Sequence, residues 1–168
     1  MLKIIFSIIF INFIFISFSI SEDKIKFVNI NFIINNSNAG IKVLNTIDKM
    51  KKNLINKLKE KEKKIKEKEI ILKGQQNILE KNEFDKKISL LKEEINKYNT
   101  DREKAINEID IKQKKDLENL IKKITPLLEN YMEKNSIGII FNENSVFFSK
   151  KNYNASEDIL KLVNDNLK

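Results

Sequence analysis

The chain has 168 residues, with 32 Lys and Arg against 24 Asp and Glu, a formal net charge of +8, and it holds neither histidine nor cysteine. No disulfide can form, the usual thiolate and imidazole metal ligands are missing, and so is the commonest catalytic base. Three isolated glycines form no phosphate loop, so a nucleotide-dependent enzyme does not fit and the fold must rest on packing or assembly. The heavy use of Ile, Lys and Asn has the look of codon bias, which makes placement more informative than composition.

Lys3 precedes an apolar run from Ile4 to Ile16 broken only by Ser7 and Asn12, and Ser19 and Ser21 stand just before Glu22. This three-part layout predicts a secretory signal peptide over residues 1–21 with a cut near Glu22. The apolar core is shorter than the ~20 residues of a comfortable membrane span. Lys24 to Asn31, KIKFVNIN, then reads as a first strand, rich in β-branched and aromatic residues. Phe32, Ile33 and Ile34 can start a short helical turn. A break over Asn35 to Gly40 follows, with Ser37 and Asn38 as the best N-caps for what comes next.

From Ile41 the apolar residues fall at alternating steps of three and four. On the outgoing limb they are Leu44, Ile47, Leu54, Leu58, Ile65 and Leu72, with Lys51, Lys61 and Lys68 between them. On the return limb, from about Phe84 to Asn135, they run through Ile88, Leu91, Ile95, Tyr98, Ala105 and Ile109 to Leu117, Leu120, Ile124, Leu127 and Tyr131. That spacing marks the seam of a coiled coil. Gly74 to Asn82 holds the best turn, so the prediction is a helical hairpin arm over 41–116 with its tip near 74–82. Pro126 is expected to kink or locally break the return helix.

Charge is unevenly placed along this arm. Lys42 to Lys73 carries twelve lysines and five acids, a net of +7, whereas Gly74 to Asn135 balances thirteen against thirteen. Lys59 to Glu69 contains one apolar residue, Ile65, so this part of the arm stands out in water. A one-sided positive field attracts acidic partners over roughly 8 Å at physiological salt.

Residues 117–168 return to a head that also takes in residues 22–40. Ile137 to Phe141 and Val146 to Phe148 read as the two strands of a β-hairpin over 137–149, turning at Asn142 to Ser145. A last amphipathic helix is expected over 156–167. The fold class is therefore α+β and mostly α. Three short strands and one helix make a very small core, so Phe27, Val28, Ile139, Phe141, Val146 and Phe148 are expected to form head core or an interface between copies.

The KIKFVNIN strand, the Asn38-Ala39-Gly40 entry to a helical hairpin, and IGIIFNENSVFFS followed by NASEDILKLVNDNL together resemble the Skp/OmpH family of periplasmic chaperones. The resemblance spans nearly the whole chain after residue 21. It implies a jellyfish-like homotrimer in the periplasm, with head strands joined in a β-barrel and three arms around a cavity. The implied activity is ATP-independent holding of unfolded outer-membrane proteins, with no cofactor, no metal and no catalysis. Candidate client contacts are Ile65, Leu72, Ile78, Leu79, Phe84, Ile88 and Leu91, with Lys59, Lys61, Lys63, Lys64, Lys66 and Lys68 supplying charge. Each of these apolar residues is read first as coiled-coil seam; Phe84, the lone phenylalanine between Phe32 and Phe141, is the best exception. An acidic membrane surface or lipopolysaccharide is a further candidate contact. The competing reading is an exported coiled-coil adaptor for one folded partner. Nucleic acid is disfavoured by the expected export, by the single arginine, Arg102, and by the absence of aromatics among the lysines.

Overall fold

The computed structural model describes residues 24–167, so the expected signal peptide and its cut lie outside the described residues. The order is strand β1 (Lys24–Val28), short helix α1 (Ile30–Asn36), helix α2 (Asn38–Gly74), helix α3 (Lys81–Asn135), strand β2 (Ile137–Asn142) and helix α4 (Ser156–Asn166). Single 3-10 turns at Glu143–Ser145 and Lys151–Tyr153 connect β2 to α4.

Short polar side chains set the boundaries near the head. The first strand stops at Val28 rather than Asn31, because the Asn29 side chain accepts from Phe32 N at 2.7 Å and caps α1. Ser37 serves two helices: its N–H donates to Ile33 O at 2.9 Å to close α1, and its Oγ accepts from Gly40 N at 3.1 Å to open α2. Where α3 ends, Ser136 adopts the left-handed conformation (φ 51, ψ 51) and swings the chain into β2.

β1 and β2 pair in parallel, with Ile25 against Ile139, Lys26 against Ile140 and Phe27 against Phe141. A parallel pair needs a long crossover, which the whole α1–α3 stretch supplies. The expected hairpin over 137–149 is not formed. After Asn142 the side-chain amide oxygen of that residue accepts from Asn144 N at 3.2 Å, closing a 3-10 turn that leads the chain away from β2. Val146, Phe147 and Phe148 are consequently not a strand, and the described residues hold two strands rather than three.

Pro126 also behaves differently from the sequence expectation. α3 runs unbroken from Lys81 to Asn135 with the proline inside it. The site is on the exposed face, where water can satisfy the carbonyl that loses its N–H partner, and the Thr125 hydroxyl donates to Ile121 O at 3.0 Å.

One buried cluster holds the head: Val28, Ile33, Ile34, Leu120, Ile124, Ala155, Ile159 and Val163. It brings β1, α1, α4 and the last third of α3 together. Ala155 N donates to Phe27 O at 2.9 Å and Asn29 N to Ser156 Oγ at 2.8 Å, tying the start of α4 to the end of β1.

Beyond this cluster α2 and α3 lie side by side as an antiparallel hairpin. At 1.5 Å per residue, the 37 residues of α2 reach about 55 Å. Ile47, Ile65 and Leu72 of α2 and Ile109 of α3 are buried in the seam. Three polar pairs across it fix the register: Lys51 Nζ donates to Gln113 Oε1 at 2.8 Å, and Lys61–Asp101 and Lys68–Glu94 are ion pairs at 3.8 and 2.6 Å. The chain turns between Gly74 and Lys81.

Candidate functional site

Most of the exposed large apolar residues among the described ones lie on the arm and on the outer side of the sheet. On the arm, Ile65 and Leu72 are 8% and 6% exposed and are packed in the seam. Leu79, Phe84, Ile88 and Leu91 are half-buried, and Ile78 in the turn is 79% exposed. Phe84, Ile88, Leu91 and Leu72 come together in an open groove of about 350 Å³ beside the seam, edged by Lys73 and Lys92.

A second groove, about 280 Å³, opens on the other side of Leu72 and Leu91. Its apolar walls are completed by Ile71 and Leu90, which the seam pattern does not single out. Each stands one position off the seam, at a site where a solvated coiled coil normally carries a polar residue. An aliphatic in that position is the signal that would have found them.

Lys59, Lys61, Lys63, Lys64, Lys66 and Lys68 are all exposed. Lys66 pairs with Glu62 at 2.9 Å; that hydrogen bond, with the attraction between the charges, raises the lysine's pKa and lowers the carboxylate's. Lys63 approaches Glu67 at 3.9 Å, and Lys61 and Lys68 reach across to α3. Lys59 and Lys64 form no ion pair among the described residues. The positive field of α2 is thus partly answered by α3 and otherwise open to solvent.

In the head, Phe27 and Val28 are buried, 7% and 2% exposed. The remaining residues expected in the head core or an interface are on the surface: Ile139 is 48%, Phe141 44% and Phe148 88% exposed, with Val146 half-buried. Ile25, Phe27, Phe141, Val146, Phe148 and Tyr153 line an open groove of about 380 Å³ on the sheet's outer side. Phe147 stands fully in water beside it. In a sheet of two strands, β2 also has a free hydrogen-bonding edge.

The sequence model of the family described as "Outer membrane protein (OmpH-like)" matches residues 24–163. The chain belongs to that family. No curated protein matches this OmpH-like sequence. Among solved structures, the fold is similar to that of a protein from Caulobacter crescentus CB15 described as a candidate OmpH-like outer membrane chaperone. The TM-score is 0.79 at 8% identity, over 88% of this chain and 87% of the other. At that identity the likeness concerns the fold, which two quite different sequences reach through the same helical hairpin on a small head. Among the described residues of this OmpH-like chain, no helix is long and apolar enough to cross a membrane.

Proposed function

We propose that this OmpH-like protein is an ATP-independent periplasmic holdase that keeps unfolded outer-membrane proteins soluble before their insertion. The observation that carries the reading is the arm: a two-helix projection on a small head, net positive on α2, with its most exposed aliphatics near its end. An arm of this kind offers many weak apolar contacts and a long-range pull on acidic chains, which suits a client with no fixed shape. The description of the Caulobacter relative as a chaperone agrees with it.

The groove lined by Phe141 and Phe148, together with the free edge of β2, is the proposed contact between copies. Covering it in a homotrimer would place three arms around a shared cavity. Phe84, Ile88 and Leu91 would touch the client there, with Lys59, Lys63 and Lys64 providing the field. The same lysines suit the phosphates of an acidic membrane surface or lipopolysaccharide.

Dilution of a urea-unfolded outer-membrane barrel into buffer, with and without the protein, tests the reading. Turbidity suppressed at stoichiometric protein and without nucleotide is the expected result. Unchanged aggregation, with tight binding of a single folded envelope protein instead, would replace the holdase with an adaptor.

A further inference from the structure

The four aliphatic side chains above 60% exposure among the described residues are Ile70, Ile71, Ile78 and Leu90. All four are at the distal end of the hairpin. Chance scatter along two helices of 37 and 55 residues would not gather them there, and none is needed for the seam. The head core is at the other end of α2, about 55 Å away, so these residues cannot serve folding of the head.

We infer that the arm tip is a distinct capture site for apolar stretches of unfolded, net-acidic polypeptide, centred on Ile71 and Leu90. The inference rests on the holdase reading and adds to it a place of first contact. The groove between these residues holds about 280 Å³, below the ~300–1,000 Å³ of a typical small-molecule pocket. Its size suits a few side chains of a longer chain. Its walls offer Gln75 as the one uncharged polar side chain, and the charged ones at its rim are already engaged: Lys68 with Glu94 at 2.6 Å and Lys87 with Glu83 at 3.2 Å. A site with so little to read cannot select a sequence. Charge complementarity selects the class of chain, because the stretch of α2 that leads into the tip, Lys59 to Lys73, carries seven lysines against four acids, a net of +3.

The test compares two double variants of the protein for binding of a urea-diluted outer-membrane barrel. Ile71→Ser with Leu90→Ser removes the tip groove's walls. Ile55→Ser with Ile106→Ser removes two exposed isoleucines, 50% and 42% exposed, nearer the head. The tip pair is expected to weaken client affinity at least about tenfold, while helicity and mass stay as in the unmodified protein. The control pair is expected to leave affinity within about twofold. A photo-crosslinker at position 71 should capture the client, which gives a readout independent of any loss of fold. Equal weakening by both pairs, or no weakening by the tip pair while the unmodified protein holds its client, overturns the tip site and leaves the holdase standing. Failure of the unmodified protein to hold the client overturns both.

Discussion

Gly40 is the residue whose identity is most constrained by its surroundings. A Cβ there would stand 1.9 Å from Ile34 O and 2.9 Å from Ser37 Oγ, inside the junction of α1 and α2. The first clash is with backbone, which cannot rotate away. Gly40→Ala should therefore cost at least the ~1–3 kcal/mol of an overpacked core, read as a lower urea midpoint. Gly74, by contrast, has open space around it and should accept alanine. Tyr131 provides the clearest dependence on pH. Its hydroxyl donates to Asp158 Oδ2 at 2.8 Å, and burial, then this carboxylate, push its pKa from 10.0 up to about 12. The folded state thus favours the neutral phenol. The contribution is complete below pH ~10 and is lost as pH rises through about 12. Tyr131→Phe should flatten the fall in stability over that window, as measured by urea titrations at pH 9, 10 and 11. An unchanged slope would mean that neither burial nor Asp158 raises the phenol's pKa in the folded state.

Among the elements, the hairpin depends on its few buried aliphatics more than on its many charges. Ile65 is the one buried residue in a stretch of α2 otherwise made of lysine and glutamate. Ile65→Ala should cost about 2 kcal/mol or more, whereas Glu94→Gln, which breaks an ion pair between half-exposed groups, should cost less than ~1 kcal/mol and nothing at high salt. Circular dichroism in urea at low and high salt separates the two. The seam was legible in the sequence because the three-and-four spacing has a direct geometric meaning on a helix. So were the capping role of Ser37 and the last amphipathic helix. The pairing of β1 with β2 was not, since strand-forming residues announce a strand without naming its neighbour, and the whole helical hairpin separates these two in the sequence. Val146, Phe147 and Phe148 have strand-forming side chains and no strand within this chain, because the Asn142 turn takes them away from β2. The groove at Ile71 and Leu90 is not legible for a related reason: three-and-four spacing marks the seam and is silent about the residues beside it.

At the scale of the whole molecule, the head presents a broad apolar surface to water. Ile25, Ile139, Phe141, Phe147, Phe148 and Tyr153 are each more than 40% exposed and lie on or beside the two-stranded sheet. Such a patch marks an interaction surface. The proposed assembly predicts that Phe141→Asp, which puts a charge into the outer groove, lowers the molecular mass toward that of one chain while the helices remain. The mutant should then lose client holding as well, since single arms enclose nothing. Retained mass would move the contact between copies elsewhere.

The most direct test of the central claim is the mass of the purified protein, residues 22–168, by light scattering, alone and with a urea-unfolded outer-membrane barrel. A trimer that takes up the barrel stoichiometrically and keeps it soluble without ATP is the expected result. A monomer or dimer that leaves the barrel to aggregate would contradict it.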